Sequence, residues 1–389
     1  MKIESDSMSR AQPRAKLIAI YFPQFHAIAE NDAWWGQGFT DWNNVRTGTP
    51  QFEGHYQPRV PLNQNYYDQS KLETLRWQVD LAQKYGVYGF CHYHYWFDGK
   101  QLLETPTNLM LENPDIDFPF CLSWANETWS KRWDGHDHHV LIQQKHPPTH
   151  TSWKRHYDYL IKAWRDPRAI KVDGKPVFVI YRPQFIEKID EMLAFWHQLA
   201  HQDGLPGLYF VFQKQYELPQ ASCLKSFDAE FQFQPFEAAY AGINGKKSLR
   251  SSRLFGLMRG LPERYQDLLR GLKAKFVKEL TFHDYESTWC QVLNIQVDSH
   301  RTTYPGAFVD WDNASRYKSR ATIFHPVTPV IFQKYLTDLV DSMPKRNLPE
   351  NFIFLNAWNE WAEGAYLEPD ERFGYQYLDA VKAALFNHG

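Results

Sequence analysis

The stretch richest in reactive groups in this 389-residue chain is 356–364, NAWNEWAEG. It sets Glu360 and Glu363 three positions apart, beside Trp358, Asn359 and Trp361, directly after the apolar run FIFL at 352–355. Paired carboxyl groups cut glycosidic bonds, one protonating the leaving oxygen while the other acts across the anomeric carbon. A separation of about 5–5.5 Å suits retention of configuration, and about 6.5–9.5 Å leaves room for an inverting water. If the chain coils at 360–363, both acids share a face with Cβ atoms about 5–6 Å apart, a retaining spacing. In an extended strand they would point to opposite faces. An isolated E-x-x-E is more often two solvated acids beside packed tryptophans, so the reading depends on what the fold brings to this point.

Eight β-rich runs supply the positioning elements: KLIAIYF (16–22), VYGFCHYHYW (87–96), FPFCLSW (118–124), VFVIY (177–181), LYFVF (208–212), FDAEFQF (227–233), GAFVDW (306–311) and FIFLNAW (352–358). Helix-like segments at 70–85, 152–165, 187–203 and 329–342 alternate with them. The first of these, SKLETLRWQVDLAQKYG, ends on lysine and glycine as a helix C-terminus does. Near-continuous apolar strands alternating with helices specify a parallel sheet covered on both faces, and eight such units specify its closure. The expected fold is therefore α/β, a (β/α)8 TIM barrel forming one catalytic domain over 16–389 behind a flexible tail at 1–15.

Each run starts apolar and finishes in polar or aromatic groups, and in such barrels the C-terminal strand ends build the active site. The sugar-binding candidates at these ends are Tyr21, His92, Tyr93, Tyr95, Trp124, Asn126, Glu127, Trp129, Arg182, Trp311, Asp312, Trp358 and Asn359. Trp124, Trp129 and Trp358 are expected to line one cavity with the glutamates. The long segment 27–66 after the first strand, rich in Trp, Gly and Asn, reads as a binding loop, with Asp41 and Trp42 closing over the sugar or Trp42 serving as a loop anchor. A second insertion, about 241–290 between strands 6 and 7, is basic at 241–280 with interleaved Leu and Phe. It reads first as a solvated helical insertion and more sharply as contact with an anionic membrane or lipid-linked glycan.

Composition narrows the partner. With 15 Trp, 22 Tyr and 27 Phe, the chain carries many flat apolar faces of the kind that stack on sugars, although aromatics also fill cores. A net charge of −2 gives no case for nucleic acid. The N-terminal MKIESDSMSRAQPRAK lacks an apolar core and no run is long enough to span a bilayer, so a cytoplasmic location is expected. Cys91, Cys121, Cys223 and Cys290 are scattered, as small core residues are. His92 and His94 in HYH share a strand face, as half of a metal site would, but later strand ends offer Arg182, Gln213 and Gln234 rather than further ligands. No cofactor is expected, and HDHH at 136–139 reads as an exposed loop.

Several long motifs in order, AIYFPQFHAIAENDAWWGQGFTDWNNV, FCLSWANETWSKRWDG, WDNASR and NAWNEWAEGAYLEPD, resemble the WbsX-like polysaccharide biosynthesis family, also called family-99-like glycoside hydrolases. The likeness runs from about residue 16 to 380. The family often carries a glycosyltransferase label, yet its E-W-x-E segment is similar to that of the endo-α-mannosidases and endo-α-mannanases of glycoside hydrolase family 99. That resemblance implies Glu360 and Glu363 as the catalytic acids. It implies that Glu360 takes the proton from the sugar's own 2-hydroxyl, which attacks C1 to give a 1,2-anhydro sugar, while Glu363 protonates the leaving oxygen and then activates water. The chemistry needs O2 trans to the leaving group, as in α-mannosides and α-rhamnosides. Ala362 stands where the mannosidase motif has His, which leaves the substrate less defined than the acids. Four alternatives stay open: Glu127 paired with Glu360, a glycosyltransferase, a metal-dependent barrel hydrolase, and a non-catalytic glycan-binding module, which would need the aromatics but not the paired acids. Against transfer stands the lack of a Gly-rich phosphate-binding turn after a strand.

Overall fold

In the computed structural model, residues 12–131, 136–215, 224–239, 280–295 and 301–386 are described. Nine parallel strands build the barrel: β1 (Lys16–Tyr21), β2 (Gly89–Phe97), β3 (Phe120–Trp124), β4 (Lys175–Ile180), β5 (Tyr209–Lys214), β6 (Ala229–Gln232), β7 (Thr302–Tyr304), β8 (Gly306–Phe308) and β9 (Phe352–Asn356). Their spatial order is β7-β6-β5-β4-β3-β2-β1-β9-β8. Strands β7 and β8 are the two halves of one stave interrupted at Pro305. Thr303 pairs with Glu230 of β6 on one side, and Ala307 with Leu355 of β9 on the other. The stave thus closes the circle, and each of the eight runs read from the sequence contributes one stave. Gly306 is dictated by this closure, because a Cβ there would lie 1.7 Å from the Gln232 carbonyl oxygen.

Alternation along the strands separates two cores. Ile18, Ile20, Cys91, Tyr93, Cys121, Val177, Val179, Val211, Phe231 and Phe354 pack together inside the barrel. Their neighbours Leu17, Ala19, Phe90, Leu122, Phe178, Phe210 and Leu355 pack outward under the helices, against Leu75, Val79, Leu160, Leu193 and Leu339. This two-sided burial is why the strands read as unbroken apolar runs. The four expected helices occur at Leu72–Lys84, His150–Trp164, Ile189–Gln202 and Pro329–Ser342. Thr149 and Thr328 cap the second and fourth by accepting from the backbone N–H of Ser152 and Ile331.

Some local expectations change. The segment after β1 is not an open loop: it forms the helices Ala29–Trp35 and Asp41–Arg46, the second opened by a Thr40–Asn43 capping box. HDHH belongs to the strand His136–Ile142, which pairs with Trp129–Lys131 in a hairpin, rather than to a loop. Arg14 and Ala15 are not part of a loose tail. Arg14 pairs with Asp341 and donates to the Ala384 carbonyl, and Ala15 is buried. Cys91 and Cys121 are buried cross-strand neighbours, whereas Cys290 is exposed. Residues 1–11, Cys223 and the basic stretch 241–279 lie outside the described residues. Among the described residues, no helix is long and apolar enough to cross a membrane.

Candidate active site

The chain leaving β9 turns back on itself. Asn359–Glu360 pairs antiparallel with Ala365–Tyr366, and the link between them is a 3-10 turn, Trp361–Glu363. Coiling at this point brings both glutamates to one cavity. Gly364 ends the turn in the left-handed region, at φ 69°, and a Cβ there would meet the Asp312 backbone nitrogen at 2.9 Å. That close approach lets the Asp312 N–H donate to the Glu363 carbonyl at 2.7 Å.

Polar anchors fix the turn to its neighbours. The Asn359 amide accepts from the Phe22 N–H at 2.8 Å and donates to the Phe22 carbonyl at 2.9 Å, tying the turn to the end of β1. Trp361 stacks on Tyr366, with ring centroids 3.8 Å apart, and its indole N–H donates to Glu368 at 2.6 Å. Glu368, fully buried, also accepts from Tyr67 (2.8 Å) and Gln78 (2.7 Å). Burial pushes the Glu368 carboxyl up to about 7 despite these donors.

Arg316, on the short helix Ala314–Tyr317, lies between three carboxyls. Its Nη1 donates to Glu363 Oε1 at 2.6 Å and its Nη2 to Asp41 Oδ2 at 2.8 Å, with Glu360 Oε2 3.9 Å from Nη2. The side chains of Arg316 and Asp41 are 4% and 0% exposed, so their charges are scarcely screened. Burial alone would lower the Arg316 pKa, but Asp41, Glu363 and Glu360 outweigh it and hold the guanidinium charged. Burial, then the Glu363 charge, raises Glu360 well above the ordinary carboxylate range, with Arg316 opposing. Burial also raises Glu363. The 2.6 Å ion pair would ordinarily lower it, but burial and the Asp41 charge prevail. One cation thus faces three carboxyls, of which Asp41 and Glu360 are buried and Glu363 is partly exposed, and the upward shifts of the two glutamates favour their protonated forms. Among the described residues, Glu360 Oε2 accepts no hydrogen bond.

The glutamates open into a cavity of about 420 Å³ at the C-terminal end of the barrel. Strand alternation decides which candidates reach it. Tyr93 and Tyr95 of β2 point inward and line it, with Tyr181 beyond β4, Gln215 beyond β5 and Phe233 beyond β6. Both β2 phenols are pushed well above their ordinary value, chiefly by burial, and so remain neutral donors. Of the residues expected to bind sugar, Tyr93, Tyr95, Glu127, Trp129, Arg182 and Trp311 line the cavity with Glu360 and Glu363. Glu127 accepts from Arg182 Nε at 2.9 Å.

The remaining candidates lie elsewhere, for identifiable reasons. Tyr21, His92 and Trp124 occupy the opposite parity and face the helix layer. Tyr21 donates to Gln78 and stacks on His92, and Trp124 packs on His156. His94 shares that outward face, 2.9 Å from the His156 ring nitrogen, so neither histidine of HYH reaches the cavity. Trp358 is fully buried against Phe90, so of the three tryptophans expected in the cavity only Trp129 is there. Trp42 anchors its helix by donating to the Tyr67 carbonyl and packing on Phe25 and Trp361. Asp41 acts through Arg316, and Asn126 and Asn359 hold backbone, Asn126 by bonding both ways with Arg182. Asp312 turns away to accept from His55 (2.8 Å), Gln57 (2.7 Å) and Arg59 (3.2 Å), securing the 48–60 segment. Among the described residues, no three His, Cys, Asp or Glu side chains come together as a metal-ligand set. Sequence reasoning missed Arg316, although it sits in the WDNASR motif, and also Asn31, Trp34 and Trp35 on the first loop helix.

The fold and the sequence both have counterparts among known proteins. In the endo-α-mannosidase of glycoside hydrolase family 99 from Bacteroides thetaiotaomicron, the same fold is matched at a TM-score of 0.54 and 12% identity, over 95% of this chain and 96% of that one. A solved structure described as a glycoside hydrolase-like protein matches at 0.56 and 14% identity, over 97% and 95%. In sequence, the uncharacterized protein WxcX of two Xanthomonas campestris pv. campestris strains is 36% identical over 373 residues, 95% of this chain and 50% of theirs. The chain thus spans about half the length of these curated relatives. The family model described as Glycosyltransferase WbsX matches residues 17–381. With that match covering nearly the whole chain, the protein belongs to the WbsX family.

Proposed function

We propose that this chain is a carbohydrate-active enzyme of polysaccharide biosynthesis: a retaining glycoside hydrolase acting on α-manno- or α-rhamno-configured linkages of a bacterial-type polysaccharide. The observation that carries the reading is the pair Glu360 and Glu363 on one turn at the mouth of the barrel, both raised in pKa and clustered around Arg316. The fold shared with a family 99 endo-α-mannosidase supports it. In this reading Glu360 removes the 2-hydroxyl proton, O2 attacks C1, and Glu363 delivers its proton to the departing oxygen. Water then opens the 1,2-anhydro ring: Glu363 takes a proton from the water as it attacks C1, and Glu360 returns its proton to O2, which restores both carboxyls.

In this reading the sugar itself decides which carboxyl holds the proton. Glu360 Oε2 accepts no bond among the described residues, so a 2-hydroxyl donating to it stabilises the carboxylate form. The shared proton then belongs on Glu363, the acid. Neutral Tyr93 and Tyr95 stand beside this exchange as hydroxyl partners for the ring.

The test is incubation of the chain with α-mannans and α-rhamnans, following new reducing ends and their anomeric configuration by proton NMR. Release with retention supports the reading; release with inversion removes the pairing of Glu360 with Glu363. The glycosyltransferase name of the family favours a second reading, transfer from an activated sugar donor. Product formed only when a nucleotide-sugar or lipid-linked donor is added would establish that reading instead.

A further inference from the structure

Asn31 lies on the loop helix Ala29–Trp35, a different element from the one that carries the glutamates. It is 1% exposed and lines the cavity, yet neither its Oδ1 nor its Nδ2 has a hydrogen-bond partner among the described residues. A buried amide with both groups unpaired destabilises the fold that contains it. Such a group in a functional cavity points to a ligand that pairs it.

The surroundings define that ligand. Asn31, Trp34 and Trp35 stand at i, i+3 and i+4, on one helix face, and all three line the cavity. Trp34 meets Trp129 edge to face at 6.0 Å, and Trp129 meets Tyr95 edge to face at 5.1 Å. Tyr95 in turn is close enough to feel the charges of Glu360 and Glu363. An aromatic wall therefore runs stepwise from the glutamates to the Asn31 helix, two ring contacts beyond Tyr95. One free acceptor and one free donor on a single amide match two adjacent hydroxyls of a pyranose, one donating and one accepting.

We propose that Asn31, with Trp34 and Trp129 as its wall, forms a subsite that binds a second sugar ring through a vicinal diol, next to the ring held at the glutamates. This rests on the glycoside-active reading above and extends it: the substrate is at least a disaccharide, recognised on both rings. It also accounts for the unpaired amide, since a site built to hydrogen-bond a substrate keeps groups that are satisfied only when substrate is present.

The experiment measures binding by calorimetry to methyl α-mannoside, α-mannobiose, α-mannotriose and the corresponding rhamnose series. It uses the full chain in a Glu363→Gln background, so that nothing is cleaved, with Asn31→Leu and Asn31→Asp as variants and thermal melts alongside. Both variants are expected to lose roughly tenfold in affinity for the di- and trisaccharides of whichever series binds, and little for the monosaccharide. Asn31→Leu, which removes an unpaired buried amide, is expected to raise Tm by roughly 1–3 °C. A lowered Tm with unchanged oligosaccharide affinity would make Asn31 structural and overturn the proposal. Absence of binding to every chain in the panel overturns it as well. If binding and its dependence on Asn31 hold while the wild-type chain cleaves none of these sugars, the subsite stands and the hydrolytic reading falls.

Discussion

Replacing Arg316 by Met tests the electrostatics of the site without depending on any substrate. The guanidinium is 4% exposed and touches Asp41 and Glu363 directly, so the substitution leaves buried carboxyls without their counter-charge. Removing one partner of a buried ion pair costs about 3–5 kcal/mol when the other stays charged. The cost must depend on pH. Without Arg316, burial and mutual repulsion drive the folded-state carboxyl pKa values further above the ordinary 4.5 of a glutamate. A carboxyl with a raised folded pKa contributes stability that is fully present below its unfolded value and is lost as pH rises through the folded one. The gap between variant and wild type is therefore expected to be small near pH 5 and to reach about 3–5 kcal/mol by pH 8. Urea unfolding followed by tryptophan fluorescence at pH 5, 6.5 and 8 reads it, and using the difference cancels titrations elsewhere in the chain. Arg316→Lys should recover only part of the loss, since a point charge does not span Asp41 and Glu363 as the planar fork does. A gap of the same size at every pH would mean that these carboxyls take up no proton when Arg316 is lost.

Two further outcomes follow from the same geometry. Glu363→Gln keeps the shape of the acid but cannot donate its proton, so cleavage of an unactivated glycan is expected to fall by ~10²–10⁴ while binding persists. Substrates with a good leaving group should be partly spared, and equal losses on both kinds, measured as kcat/KM, would show that Glu363 is not the acid. Glu368→Gln removes a titration without changing shape. Because burial raises Glu368 to about 7, the wild type gains stability as pH falls through that value, while the amide does not. The variant's deficit is expected to be about 2 kcal/mol larger at pH 5 than at pH 8. A deficit that does not change with pH would mean Glu368 stays ionised under its three donors.

Much of this architecture was legible because it rests on patterns that local physics enforces. All eight staves announced themselves as apolar runs, since each is buried on both faces, and the helix at 72–84 carried its own end in Lys84 and Gly86. The E-x-x-E pair was legible as chemistry, but its geometry depended on whether the chain coiled after β9, which Gly364 and its approach to Asp312 decide. What misled was parity. Adjacent residues of one strand face opposite cores, so His92 and Trp124 went under the helices while Tyr93 and Tyr95 entered the cavity, a division that strand ends rich in aromatics do not reveal. The register offers the missing signal: Tyr93 pairs with Ser123 and His94 with Trp124, so placing Tyr93 inside puts Trp124 outside. Arg316 was hidden differently. It rides on a four-residue helix beyond β8, and only tertiary packing against the Asp41 helix brings it between carboxyls distant in sequence.

If Glu360 works through the sugar's own 2-hydroxyl with Glu363 as its acid, deleting that hydroxyl abolishes turnover and spares binding. An α-mannosyl or α-rhamnosyl oligosaccharide and its 2-deoxy analogue, altered in the ring that is cleaved, are offered to the wild-type chain, with binding and turnover measured for each. Both are expected to bind within a few-fold of each other and only the parent to be cleaved, because the missing oxygen is the nucleophile. Brisk hydrolysis of the 2-deoxy substrate would contradict it. So would a 2-deoxy-2-fluoro sugar that leaves an ester on the peptide carrying Glu360 or Glu127, since a protein carboxylate would then be the nucleophile.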